Sequence, residues 1–194
     1  MERKIPVFTF GETAYRLGAK LKQEAYPSVE LTCFMHARYA VPEGGIVCPT
    51  DKFLCEQLLI HFKRIKRLQN LSLRSLWRKW ILKKKTVAPL VLIAGLGGAF
   101  ASSAVVQALR MAREFGFDPI ISVVQLPFRF EGEKCRLLAE KSLIELQKYS
   151  ASIKTIDHAL LSELHTKDTV SYYFNGVDEQ MLEFIKEQIS AIKE

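Results

Sequence analysis

PLVLIAGLGGAFASSAVVQALRMAREFGFDPIISVV, residues 89 to 124, decides the fold. Its first six residues, Pro89 to Ala94, are the near-continuous apolar run of a strand buried on both faces. Gly95-Leu96-Gly97-Gly98 follows at once. Ala99 to Phe115 then reads as a helix, with apolar positions at Val105, Leu109 and Met111, an Arg/Glu polar face and Gly116 as its stop. Pro119 to Val124 is a second buried strand. Strand, crossover helix and parallel strand make a right-handed unit whose glycine turn lies at the carboxyl edge of the sheet, where such folds bind ligands. Glycines there let backbone N–H groups approach an anion at a helix N-terminus, and they equally serve tight strand-to-helix packing with no ligand at all.

Outward from this unit the chain keeps alternating. Lys4 to Phe10 reads as a strand that Pro6 assigns to a sheet edge or to a strand start. Gly11 ends it, Glu12 to Glu24 reads as a helix, and Val29 to Met35 as another strand, followed by an irregular Pro42-Glu43-Gly44-Gly45 turn. Thr50 is the N-cap candidate of a helix running to Arg67. Past the central unit, Glu131 to Tyr149 reads as an amphipathic helix with Leu137, Leu138, Leu143 and Leu146 inward. Ser152 to Ile156 is a short strand, Ala159 to His165 a helical turn or two, and Thr169 to Phe174 ambiguous. Val177 to Lys193 is a closing helix that buries Met181, Leu182, Ile185, Ile189 and Ile192. The expected fold is α/β, a mostly parallel, doubly wound Rossmann-like sheet in one domain over residues 1 to 194.

With 194 residues, 48% of them hydrophobic, the chain can bury one sizeable core. Its four cysteines lack metal-ligand spacing and no secretory h-region opens it, which predicts a reduced, cytoplasmic protein. No apolar run reaches the roughly 18 residues of a membrane span. The net charge of +7 is unevenly placed, because twelve of the 28 Lys/Arg and none of the 21 Asp/Glu lie between Gln57 and Arg113. A divergent basic segment at about 57 to 85 holds Lys63, Arg64, Lys66, Arg67, Arg74, Arg78, Lys79, Lys83, Lys84 and Lys85, interleaved with Leu73, Leu76, Trp77, Trp80 and Ile81 at helical spacing. It reads either as a solvated helix face or as a binding strip for an anionic membrane surface or nucleic acid.

Leu92 to Gly98 (LIAGLGG), Pro127 to Gly132 (PFRFEG), Ala139-Glu140, Glu145-Leu146 and Thr155-Ile156 together resemble the nucleotide-binding domain of the bacterial tubulin homologue FtsZ. The resemblance is nearly continuous from Pro89 to the C-terminus and returns over Lys4 to Leu21 and Val29 to Ala40. From Gly44 to Lys85 it is weak. It implies a GTP-binding ancestry, with residual nucleotide contacts at Gly11, Gly95, Gly97, Gly98, Glu131, Phe174 and Asp178. Glu131 matches the family's ribose-binding Glu, and Phe174 with Asp178 matches the Phe-x-x-x-Asp that stacks on guanine and reads its edge.

Departures from the pattern bear on activity. The family's Gly-Gly-Gly-Thr-Gly-Thr-Gly is matched by Gly97-Gly98-Ala99-Phe100-Ala101-Ser102-Ser103, which adds Cβ atoms and a phenyl ring where phosphate would lie. Its first glycine run is matched by Gly11-Glu12-Thr13-Ala14-Tyr15-Arg16. Two like charges about 4 Å apart, such as the Glu12 carboxylate and a phosphate, repel by about 4 kcal/mol at an effective dielectric near 20, which Arg16 offsets if it turns inward. The family's nearby Arg is matched by Cys135, with Arg136 one place on, and its Asn-Asp pair by His158 and Ala159. The resemblance also implies that the chain stops inside the family's central helix, short of the activation domain that carries the hydrolytic carboxylates.

His36, His61, His158 and His165 lack ligand spacing and read as packing or surface residues, so no metal is expected. Ser102-Ser103 lacks the Gly-x-Ser-x-Gly of a nucleophile elbow, and no catalytic residue is assigned. The expectation is a non-catalytic, degenerate FtsZ-like interaction or regulatory module without cofactor, its partner a genuine FtsZ or another division protein. Two alternatives stand beside it: a GTP-binding GTPase with a rearranged site, and a binder of anionic surfaces through the basic segment.

Overall fold

The computed structural model describes residues 4–24, 29–38, 44–70, 89–164 and 169–193. In chain order the elements are β1 (Ile5–Phe10), α1 (Glu12–Gln23), β2 (Val29–Met35), β3 (Ile46–Val47), α2 (Asp51–Asn70), β4 (Leu90–Gly95), α3 (Ala99–Glu114), β5 (Ile120–Leu126), α4 (Glu133–Tyr149), β6 (Ser152–Asp157), α5 (His158–Leu164) and α6 (Val170–Lys193), with a 3-10 turn at Arg129–Glu131. The six strands form one sheet in the order β3-β2-β1-β4-β5-β6, with every pairing parallel.

Strand alternation sends side chains to two cores. Phe8, Phe10, Leu90, Leu92, Ile120 and Val124 pack on one face with Leu54, Leu58 and Phe62 of α2, Val105 and Leu109 of α3, and Leu146 of α4. Val7, Val91, Ile93, Ile121 and Val123 pack on the other with Leu17 and Leu21 of α1 and Met181, Ile185 and Ile189 of α6. The sheet is thus doubly wound. On the second face α1 lies so close that a Cβ at Gly18 would come 2.7 Å from Thr9 and 2.8 Å from Leu31. A glycine that costs about 1 kcal/mol of helix propensity is thereby offset by the approach it permits.

Several boundaries differ from expectation. Pro6 starts a strand but not at an edge: β1 lies between β2 and β4. It is the second residue of β1, opposite Glu30 of β2 and one residue before pairing with β4 begins at Val7. The helix expected from Glu131 opens only at Glu133, because Gly132 sits at φ +94° after the 3-10 turn. Leu137 is 49% exposed and not inward. The buried stripe of α4 runs Ala139, Ser142, Leu146, and Leu137 stands about 200° around the helix from Ala139. Thr169 to Phe174 resolves into the first turns of α6, which begins at Val170 and runs on through Gly176. The two-residue β3 is too short to show a period.

Candidate functional site

The sheet reverses winding between β1 and β4, and the turns after these two strands open together at its carboxyl edge. A cleft of about 390 Å³ lies there, lined by Gly11, Glu12 and Thr13, by Gly95, Gly98 and Phe100, and by Phe128, Glu131, His158 and Phe174. Grooves of about 580 and 500 Å³ along α6 are larger, but neither lies at a strand's carboxyl end. Five of the seven residues expected to keep nucleotide contacts, Gly11, Gly95, Gly98, Glu131 and Phe174, line this cleft; Gly97 lies in the same turn without lining it, and Asp178 stands one helical turn beyond Phe174.

At the turn end, three amides are bonded within the protein itself. Gly11 N–H donates to the Phe34 carbonyl at 3.0 Å and Leu96 N–H to the Gln125 carbonyl at 2.8 Å. Gly97 N–H donates to the buried Ser102 hydroxyl at 3.0 Å. Gly97 is required by its own backbone, at φ +109°, and by Pro127, whose ring carbons would lie 3.2 Å from an added Cβ; a Cβ at Gly98 would meet open space. Phe100 lines the cleft and sets its ring edge-on to His36 at 5.7 Å. Glu12, exposed in the first turn of α1, lines it too. Tyr15 does not.

At the far end, Asp178 lies mid-helix and its side chain is 2% exposed. Arg16 Nη2 lies 3.2 Å from its Oδ1 and Lys20 Nζ 2.6 Å from its Oδ2. The Arg16 guanidinium also sits 5.1 Å from the centre of the Phe174 ring. Arg16 thus turns to Asp178, where the sequence had it available to offset Glu12. Lys20, which the sequence reading passed over, also reaches Asn175 at 3.3 Å. Its signal was the i, i+4 spacing from Arg16.

An aromatic column joins the cleft's mouth to its floor. Phe130 stacks on Phe128 at 5.0 Å, and Phe128 on His158 at 4.5 Å with rings 11° apart. His158 is buried, with Nε2 3.3 Å from Gln125 Oε1 and Nδ1 2.6 Å from the Tyr173 hydroxyl. The carbonyl oxygen can only accept, so Nε2 carries the proton and Nδ1 accepts from Tyr173. Burial pushes the His158 pKa down to about 4. Glu131 is turned on its own loop, its Oε1 accepting the Phe128 N–H at 2.8 Å. Arg136 grips Asp157 through two 2.8 Å bonds and Glu140 through a third, which holds the Asp157 carboxyl below its usual range.

Of the basic segment, Lys63, Arg64, Lys66 and Arg67 belong to α2. Arg64 pairs with Glu30, and Lys66 bonds the Gly116 carbonyl and lies over the Phe117 ring. Arg74, Trp77, Arg78, Lys79, Trp80, Lys83, Lys84 and Lys85 lie outside the described residues. No helix among the described residues is long and apolar enough to cross a membrane.

No protein-family model matches the chain. It is 40% identical over 60 residues to the cell division protein FtsZ of Buchnera aphidicola, covering 31% of this chain and 15% of that one. To FtsZ 1 of Pyrococcus woesei it is 34% identical over 92 residues, 47% of this chain and 25% of the relative. An FtsZ W319Y mutant structure from M. jannaschii superposes on 95% of this chain and 55% of its own, with a TM-score of 0.66 and 17% identity. The chain carries the FtsZ/tubulin-like fold. It matches a quarter or less of those curated FtsZ relatives' length and about half of the solved FtsZ chain.

Proposed function

We propose that this FtsZ-like chain is a nucleotide-independent interaction module of a division or tubulin-like cytoskeletal system, with no GTP hydrolysis of its own. The observation that carries the reading is the turn end of the cleft. The amides of Gly11, Leu96 and Gly97 are bonded internally while Phe100 and Glu12 take up the space and the charge balance that a triphosphate needs. A carboxylate at that end repels phosphate where an anion site requires donors. The residual contacts at Glu131, Phe174 and Asp178 do not make good the loss, since each is already engaged within the chain.

Phe130, 84% exposed at the mouth of the cleft, supports a docking role. A large aromatic that folding leaves in water is the kind of residue that anchors interfaces. Isothermal calorimetry with GTP and magnesium tests the nucleotide claim. No heat of binding is expected in the micromolar range, and a dissociation constant below about 10 μM, roughly −7 kcal/mol, overturns it in favour of a GTP-binding protein with a rearranged site.

A further inference from the structure

The outward side of α4 carries a strip in which lysines alternate with aliphatic residues. Lys134, Leu137, Lys141, Ile144 and Lys148 are all exposed, Leu137 at 49% and Ile144 at 62%. At about 100° per residue they fall within an arc of about 80° and run about 21 Å along the helix. The buried Ala139, Ser142 and Leu146 lie on its other side. The neighbouring acids are drawn away from the strip, since Glu140 is held by Arg136 and Glu145 by Arg110 of α3. The whole helical layer on this face of the sheet leans the same way. Its helices α2, α3 and α4 carry eleven Lys/Arg against six Asp/Glu, whereas α1 and α6 on the opposite face carry five of each. On α2 the pairing of aliphatic and base recurs, with Ile60, Lys63 and Arg67 exposed together.

Single aliphatic side chains set between lysines suit a protein partner poorly, because a protein interface is anchored in a pocket or a contiguous apolar patch. The three clefts described above are lined by other residues. A bilayer takes such side chains one at a time: the ammonium groups lie among anionic headgroups while the lysine stems and the aliphatics enter the interface. We propose that the outward face of α4, flanked by that of α2, is a docking surface for an anionic lipid bilayer. This role is separate from the cleft and stands or falls independently of nucleotide binding. The basic run from Arg74 to Lys85 lies outside the described residues and is left intact in the test.

Sedimentation of the full chain with phosphatidylserine–phosphatidylcholine vesicles, with pure phosphatidylcholine vesicles and with duplex DNA decides the matter. Binding to the anionic vesicles is expected, falling as salt is raised. Lys134→Gln/Lys141→Gln/Lys148→Gln should weaken it by about a hundredfold, at about fivefold for each lysine. Leu137→Gln/Ile144→Gln should weaken it by about tenfold. Lys4→Gln/Lys22→Gln/Lys154→Gln removes the same charge elsewhere on the surface and should change it far less; circular dichroism checks that every variant folds. Equal recovery from neutral and anionic vesicles overturns the proposal, as do equal losses in the two lysine triples, which would make net charge the cause. An unchanged affinity in the α4 triple overturns it in favour of the Arg74 to Lys85 run, and binding to DNA but not to vesicles in favour of nucleic acid.

Discussion

His158 shows how a single position can turn a ligand contact into structure. The resemblance matches it to an Asn of the nucleotide site, yet here its ring stacks on Phe128 and both nitrogens are bonded inside the protein. Its pKa is pushed from 6.5 to about 4 by burial. The unfolded chain therefore takes up a proton first as the pH falls below 6.5, while the folded protein resists until about 4, so stability is full above this window and is lost across it. The loss is on the order of 3 kcal/mol. Asp157, held low by Arg136, titrates below the usual carboxylate range, so its contribution goes at lower pH and the two are separable. Urea unfolding between pH 7 and 4 should show this slope in wild type and a much flatter one in His158→Asn; equal slopes would exclude His158 as the source. A packing or surface place for His158 was readable in the sequence. Its stacking was not, because Phe128 lies thirty residues away and only the β5–β6 pairing brings the two together.

At the scale of elements, α1 and α6 are joined by charge across the second core. Arg16 and Lys20 meet Asp178, and Lys186 meets Glu24. The central pair is asymmetric: the carboxylate is 2% exposed, the two cations 44% and 35%. Removing Asp178 strands two charges that can reach water, whereas removing both bases strands one that cannot. Asp178→Ala should therefore cost about 1–2 kcal/mol and the Arg16→Ala/Lys20→Ala double variant about 3–5 kcal/mol in denaturant unfolding at neutral pH. The reverse order would mean that water reaches Asp178 freely. The elements themselves were legible from period and punctuation. β2 runs over its expected residues, and Thr50 accepts the Phe53 N–H as an N-cap should. Legibility failed where no local pattern exists. Leu137 looked inward because leucine is apolar, but the phase of α4 is set by small residues, Ala139 and Ser142, that fit against α3. In the same way the glycine turn announced its place at the sheet edge, but not that Ser102 would consume its amide.

At the scale of the whole molecule, the proposed nucleotide-independent role bears on assembly among subunits that bind nucleotide. The resemblance implies filaments that grow by pressing the nucleotide face of one subunit on the next, a heterologous contact that propagates only if each new subunit offers a competent face in turn. Here that face carries Phe130, 84% exposed and stacked on Phe128, while the Gly97 N–H of the glycine turn is bonded to Ser102. On the proposed reading, such a subunit would dock through this face without making the nucleotide-dependent contact, and so end a filament. By itself the protein should give no light scattering and no filaments in negative stain with GTP, GDP or no nucleotide. Added at equimolar ratio to a cognate FtsZ, it should lower the polymer mass, and Phe130→Ala should restore it while changing stability by no more than about 0.5 kcal/mol, as expected for an exposed side chain. Filaments of the protein alone would remove the assembly argument. An FtsZ that polymerises unchanged beside it would remove capping, and capping by Phe130→Ala at full strength would move the docking face away from the cleft.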